Sequence, residues 1–317
     1  MRKIIISIVL LISFSAFSNI AKDSISVFTF QRLEMVEDCD VCGCSASGGS
    51  MGFNSMLSPN FIGVRYFKQS YTSRDGIFAN SPWIDENFNT LQVWSRIPIG
   101  HKVQITALIP YHSHERELTS GTENIAGLGD ITVMGSYTLF STQKEDPIFT
   151  HKLSVGGGIK IPTGKFTEKN NLGRVNQSFQ LGTGSWDYSL ISEYIVNRKN
   201  LGLNTTLNYI FKTQNSKDYQ YGNQFNYNST LFYSFEVKTI QLVPQAGIAG
   251  EIYKGNSQYQ LDLPNTAGAI LFSKFGIEAG KNDLSVGLNL MTPVHQNLAE
   301  GNMKANYRWS INLNYSL

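Results

Sequence analysis

Residues 307–317 read Tyr-Arg-Trp-Ser-Ile-Asn-Leu-Asn-Tyr-Ser-Leu, so every second side chain is apolar and those between are polar or charged. A period of two residues is typical of a β-strand with one apolar face and one polar face. The same alternation recurs in segment after segment from residue 88 onward. Successive strands of about ten residues with this pattern favour a membrane β-barrel, whose apolar face meets lipid.

The alternation divides the chain into twelve predicted strands, at about 60–71, 88–99, 102–113, 129–140, 151–162, 184–196, 200–212, 223–235, 239–252, 267–280, 283–293 and 305–317. Short polar turns, such as 100–101, alternate with longer polar connections, such as 114–128, 163–183 and 294–304. Outer-membrane barrels have short periplasmic turns and longer extracellular loops. The sequence therefore predicts an all-β fold, a transmembrane antiparallel β-barrel of 12 strands.

The N-terminus has the layout of a secretory signal peptide. Arg2 and Lys3 precede an apolar run over 4–12, and small residues lead to an expected cleavage after Ser18. No later stretch of about 18 apolar residues predicts a transmembrane helix. We expect three parts: a signal peptide over 1–18, a cysteine-containing segment over 19–59 that is either a lumen plug or periplasmic, and a barrel over 60–317. This layout predicts the outer membrane of a Gram-negative cell.

The composition limits the partners. A net charge of +2 is too small to indicate nucleic acid or a strongly acidic partner. The mean hydropathy of −0.17 resembles that of a soluble protein, but a barrel hides its apolar half by alternation. Expected partners are outer-membrane lipid, a small-molecule solute and the barrel-assembly machinery. The oligomeric state stays open.

The polar parity of the predicted strands forms the expected lumen. Its predicted lining residues are Arg65, Arg96, Lys102, Lys160, Glu193, Lys274 and Arg308. A polar, slightly basic lining indicates water or a hydrogen-bonding solute inside, with a weak preference for anions. Alternatively, the charges pair with one another and fill the interior, because twelve strands fall between filled eight-stranded barrels and open sixteen-stranded porins.

Two groups of side chains are candidate metal ligands. Cys39, Cys42 and Cys44 are the only cysteines, and thiolates bind Cu or Zn ions well. In an oxidising compartment, a disulfide between Cys39 and Cys42 is the alternative. His112 and His114 lie two residues apart, on the lumen face of one strand near the outer rim. A solvated loop start is the alternative for these two histidines.

Three glycine-rich motifs carry a resemblance to a known family. Residues 127–130 read Gly-Leu-Gly-Asp, 160–164 read Lys-Ile-Pro-Thr-Gly, and 181–187 read Leu-Gly-Thr-Gly-Ser-Trp-Asp. Glycine permits tight turns and close strand approach, and Asp130 can bond loop backbone. In these motifs the chain resembles bacterial outer-membrane barrel transporters of the phenol-degradation meta-pathway type. The cysteine-containing segment is similar to segments that precede such barrels in Bacteroidetes-like sequences.

The resemblance implies a transport channel for small apolar or aromatic compounds. The predicted function is thus an outer-membrane channel or transporter that passes small solutes through a polar lumen. The alternatives are a copper- or zinc-linked protein that uses the cysteine cluster, and a non-conducting barrel that anchors a periplasmic partner. No enzyme is expected, because the neighbours His112 and Ser113 point to opposite faces and cannot pair directly.

Overall fold

The computed structural model describes residues 55–76, 80–119, 121–142, 148–169 and 175–317. These residues form a closed antiparallel barrel of 12 strands. The strands are β1 (Phe61–Arg74), β2 (Trp83–Ile99), β3 (Val103–Leu118), β4 (Gly121–Leu128 and Ile131–Ser141), β5 (Thr150–Ile161), β6 (Asp187–Arg198), β7 (Leu201–Phe211), β8 (Gln224–Tyr233 and Phe235–Val237), β9 (Ile240–Tyr253), β10 (Gly268–Lys281), β11 (Leu284–Leu298) and β12 (Met303–Ser316). The predicted fold class and strand number are confirmed.

Each strand pairs with the next along the chain, and β1 closes the barrel by pairing with β12. Phe61 lies opposite Ser316, so the barrel begins and ends at the same rim. Closure leaves no unpaired strand edge, whose backbone N–H and C=O groups would lack hydrogen-bond partners in lipid. The short turns after β2, β6, β8 and β10 lie at this rim, which we call the periplasmic end because outer-membrane barrels keep their short turns there.

The connections at the opposite, outer end contain the remaining elements. Short 3-10 helices span Gln177–Phe179 and Ala299–Gly301. A separate three-stranded sheet consists of Tyr219–Gln220, Ser257–Gln258 and Leu261–Asp262. Within the described ranges, no helix is long and apolar enough to cross a membrane.

The two faces of the strands follow the sequence alternation. In β12, the apolar side chains of Ile311, Leu313 and Tyr315 are exposed on the outer surface. The intervening Arg308, Ser310, Asn312 and Asn314 are buried inside the barrel. The wall therefore presents apolar side chains to lipid and encloses polar ones.

Two of the predicted long connections are wrong. Residues 114–128 instead extend β3 to Leu118 and begin β4 at Gly121, and the connection expected over 294–304 is shortened, because β11 continues to Leu298 and β12 begins at Met303. The outward side chains of this β3–β4 hairpin include charged Glu115 and Glu117. Charges that interrupt the apolar face predicted a loop, but they also suit a strand that projects beyond the lipid.

Candidate functional site

The three glycine-rich motifs meet at one point near the outer end of the barrel. Asp130, between the two segments of β4, accepts hydrogen bonds from the Gly164 backbone N–H at 2.9 Å and the Thr183 backbone N–H at 2.9 Å. It also accepts a 2.9 Å bond from the Thr183 hydroxyl. Gly164 and Thr183 belong to the connection between β5 and β6, and we call its described residues, 162–169 and 175–186, the insertion loop. Asp130 therefore fixes both ends of this loop, and the predicted bonding to loop backbone is present.

Buried charges surround these hydrogen bonds. The Lys160 ammonium lies 3.1 Å from an Asp130 carboxylate oxygen and 2.6 Å from one of Asp187. The Lys212 ammonium lies 3.1 Å from Asp187. Burial lowers the pKa of the Lys212 ammonium to about 8, although Asp187 acts in the opposite direction. We call Asp130, Lys160, Thr183, Asp187 and Lys212 the loop latch.

Glycine allows the latch to close. A Cβ added to Gly182 would lie 2.5 Å from an Asp130 oxygen and 2.6 Å from the Gly164 carbonyl oxygen. A Cβ on Gly164 would lie 2.8 Å from the Cα of Gly182. The two loop ends thus cross in contact, which only residues without side chains permit.

The part of the insertion loop around Phe179 enters the barrel. Phe179 is fully buried, and its ring centroid lies 5.8 Å from that of Phe88 in an edge-to-face arrangement. The Arg116 guanidinium stands 4.9 Å from the Phe179 ring, and Arg116 is paired with Glu123 at 2.5 Å. The polar connection expected over 163–183 therefore includes, around Phe179, a plug for the outer mouth.

Phe179 completes an apolar core inside the barrel. Phe67, Tyr71, Phe88, Phe179 and Phe272 all belong to one buried cluster, which we call the outer aromatic cluster. Met291, Ile270 and Met303 extend it. Sequence reasoning missed this cluster because it treated the inward parity as uniformly polar. Phe67, Phe88 and Phe272 at inward positions were the available signal.

The predicted histidine pair lies beside this cluster. His112 and His114 are both buried, and their ring centroids are 4.7 Å apart. The Nδ1 atom of His112 is 2.9 Å from the Thr90 hydroxyl. Their burial within β3 overturns the solvated-loop alternative, since strand pairing continues to Leu118. Over the described part of the chain, no group of three potential metal ligands occurs, so the metal role of this pair stays a prediction.

Below the aromatic cluster the interior is polar. Arg308 pairs with Glu251 at 2.6 and 2.9 Å, and it also donates to the Tyr71 hydroxyl at 3.1 Å. Arg65 donates to Gln92 and stacks on Trp94 with 4.3 Å from guanidinium carbon to ring centroid. The buried Lys274 ammonium donates to the Thr230 hydroxyl at 2.8 Å.

One ion pair crosses the lumen. The Arg96 guanidinium on β2 lies 3.3 Å from the Glu193 carboxylate on β6, although these strands are not neighbours in the barrel wall. Both residues border an interior cavity of about 70 Å³ that Arg65, Trp94, Asn226 and Glu251 also line. The pair lies towards the periplasmic end, since Arg96 is opposite Phe61 at the start of β1.

The chain before β1 lies at that end. The Glu278 carboxylate accepts hydrogen bonds from the Ser55 hydroxyl at 2.6 Å and from the Met56 and Leu57 backbone N–H groups at 2.8 and 3.1 Å. Residues 55–59 therefore contact the periplasmic end of the barrel interior. The remainder of the predicted segment 19–59, with Cys39, Cys42 and Cys44, lies outside the described residues, as does the expected signal peptide.

The predicted lumen residues do not share one environment. Arg65, Lys160, Lys274 and Arg308 are buried inside, and Arg96 and Glu193 border the cavity. Lys102 differs, since it is exposed in the turn before β3, 5.8 Å from the outward-facing Tyr137 ring. Its assignment to the lumen is corrected, because the strand period does not apply within a turn.

The family described as the MetA-pathway of phenol degradation matches residues 84–291. An outer-membrane channel from Pseudomonas putida F1 has a TM-score of 0.61 at 13% identity, over 83% of this chain and 97% of that chain. The β-domain of the Bordetella autotransporter BrkA has a TM-score of 0.48 at 9% identity, over 82% of this chain and 100% of its own. The CymD monoaromatic hydrocarbon channel has a TM-score of 0.40 at 8% identity, over 82% and 89%.

No curated protein matches the sequence of this chain. At these identities the structural likeness to the Pseudomonas channel shows the fold, whereas the family match covers most of the barrel. It also includes all three motifs of the latch. The match begins at residue 84, so the similarity of the cysteine segment to Bacteroidetes sequences stays a prediction. The chain belongs to the family described as the MetA-pathway of phenol degradation, and it is a β-barrel of the outer membrane.

Proposed function

We propose that the barrel is a channel that admits small apolar or aromatic compounds across the outer membrane. One observation carries this proposal: the outer half of the lumen holds an aromatic cluster, although the lumen is otherwise polar. Ligand sites for small organic molecules are mostly apolar, with a few placed polar groups. The association of the family with phenol degradation agrees with an aromatic solute.

The insertion loop is the gate in this proposal. Phe179 occupies the place among Phe88 and Tyr71 that an entering ring would take, so entry requires Phe179 to withdraw. The latch holds the loop at Gly164 and Thr183, which lets Phe179 move while these two positions stay fixed. The solute then reaches the cavity beside Arg65 and Trp94 and passes the Arg96–Glu193 pair.

Uptake by intact cells tests the function. We expect cells that produce the barrel to take up labelled toluene and phenol faster than cells without it, with a smaller change for glycerol. Phe179→Ala should increase aromatic uptake several-fold, since loss of a buried phenylalanine side chain removes about 3–5 kcal/mol of loop docking. Phe272→Asn should reduce it by placing an amide in the apolar route.

Phe140→Ala is the matched control, because the Phe140 ring is exposed on the outer surface of the barrel. It should leave uptake unchanged. Aromatic uptake equal to that of cells without the protein, together with raised glycerol uptake, would show a general polar pore and reject the proposal.

We further propose that the protein catalyses no reaction. In addition, residues 1–18 are removed, and the barrel-assembly machinery then receives the unassembled chain. The imidazole of His112 pairs with a threonine hydroxyl rather than a serine in the described structure. A fluorogenic ester assay on the folded protein should give no turnover. Depletion of the assembly machinery should prevent the folded form from appearing. Mass analysis should show that the mature chain begins at residue 19.

A further inference from the structure

His114 is a buried polar group that the fold leaves unused. Its side chain is 1% exposed, and neither ring nitrogen makes a hydrogen bond. The Ser113 backbone lies near the ring but does not meet hydrogen-bond geometry with it. Buried side-chain nitrogen atoms are nearly always paired, and those that are not call for a functional explanation.

The surroundings of His114 suit an aromatic ring. Phe88 meets the imidazole edge to face at a centroid distance of 4.9 Å, and the Phe179 centroid lies 6.1 Å away. Ile125 is the strand neighbour of His114 on β4 and packs against the same cluster. Phe88 is contributed by the wall, but Phe179 is contributed by the insertion loop. Withdrawal of Phe179 therefore opens a space of about one ring beside an unpaired imidazole.

We propose that His114 is the specificity residue of a binding site for a small aromatic compound that carries a hydroxyl group. The ligand ring takes the place of Phe179 against Phe88, and the ligand hydroxyl bonds a nitrogen of His114. This inference rests on the proposed function and deepens it, because it predicts which aromatic compounds the channel prefers.

The chemistry favours a hydroxyl over a bare hydrocarbon. A neutral imidazole has one donor and one acceptor nitrogen, and a hydroxyl can serve as the partner of either. A hydrocarbon of the same shape fills the apolar space but leaves both nitrogens unpaired. Sites with a buried hydrogen-bonding group discriminate strongly against analogues that lack the matching group.

The Phe179→Ala variant of the full chain provides the direct test, since it leaves a ring-sized space without requiring the loop to move. Buried apolar cavities of this size bind benzene-like molecules. Titration calorimetry in detergent should show phenol binding about five- to tenfold more tightly than toluene, the ratio expected for one hydrogen bond. Equal affinities for phenol and toluene would overturn the proposal at this step.

Second substitutions then assign the preference to His114. In the Phe179→Ala background, His114→Leu should remove the preference for phenol while toluene still binds. His114→Gln, which keeps a donor and an acceptor, should retain part of the preference. His151→Phe is the matched control, because His151 bonds the Tyr194 hydroxyl on the outer surface and should change nothing. An undiminished preference for phenol in folded His114→Leu would also overturn the proposal. If that variant fails to fold, the phenol-to-toluene affinity ratio of His114→Gln, compared with that of Phe179→Ala alone, decides.

The two proposals fail differently. If His114→Leu in the otherwise native chain leaves the phenol-to-toluene uptake ratio unchanged while both compounds enter, the specificity site is rejected and the channel stands. If neither compound enters through the native barrel, the channel itself is rejected.

Discussion

At the scale of single residues, Asp130 organises the outer mouth. Its two carboxylate oxygens accept three hydrogen bonds from the insertion loop and face the Lys160 ammonium. Removing one partner of a buried ion pair costs about 3–5 kcal/mol, because the remaining charge is left without compensation. The motif Gly-Leu-Gly-Asp thus stabilises the insertion loop, whose residues come much later in the chain.

Asp130→Asn should release the insertion loop. The asparagine side chain has a single acceptor oxygen. Its NH₂ group would therefore face a backbone N–H that donates to Asp130 in the native protein. We expect trypsin to cut after Lys165 or Lys169 at least several-fold faster than in the native barrel, since cleavage needs local opening. Limited proteolysis followed by mass analysis measures this. Asp262→Asn is the control, because Asp262 is exposed in another connection; an unchanged cleavage rate in Asp130→Asn would argue against the latch.

At the scale of elements, each strand has two environments and the loop has a third. The outward side chains of Ile131–Ser141 in β4 meet lipid, whereas the inward side chains of this segment meet the lumen. The insertion loop has no such alternation, yet Phe179 and Leu181 are as buried as any strand residue. Its burial depends on the barrel that surrounds it.

Val133→Arg should impair assembly of the barrel. Val133 faces outward on β4 between Ala107 and Ile159, and an arginine near the bilayer midplane costs about 2–4 kcal/mol. Heat-modifiable migration in gels measures the folded fraction. Leu139→Arg, on the same face but near the periplasmic end, should cost at most about 1 kcal/mol and fold normally. Equal folding of both variants would show that the lipid-facing parity or the depth of β4 is wrong.

At the scale of the whole molecule, ion pairs lie at three levels of the lumen. The latch closes the outer end, the Arg308–Glu251 pair lies beneath the aromatic cluster, and the Arg96–Glu193 pair crosses the lumen nearer the periplasmic end. In each of these pairs, opposite interior charges neutralise one another. A polar lining with few unpaired charges suits a weakly charged solute better than an ion.

Changes in the Arg96–Glu193 pair should alter conductance in planar bilayers. Arg96→Gln leaves the Glu193 carboxylate in the lumen and should shift the reversal potential towards cations, whereas Glu193→Gln should shift it towards anions. The double substitution should raise conductance with little change in selectivity. Glu236→Gln, exposed at the periplasmic end of β8, serves as the control. The same conductance and selectivity in all variants would place the pair outside the conducting route.

The sequence by itself determined the barrel, its strand number, the faces of the strands and the residues of the loop motifs. Strand alternation is a local property, since the direction of each side chain depends on its own position in a pleated chain. The insertion of Phe179, the meeting of Asp130 with Gly164 and Thr183, and the pairing of Arg96 with Glu193 were decided by the tertiary structure. These contacts join residues from strands and loops that only closure of the barrel brings together, so no spacing along the chain encodes them.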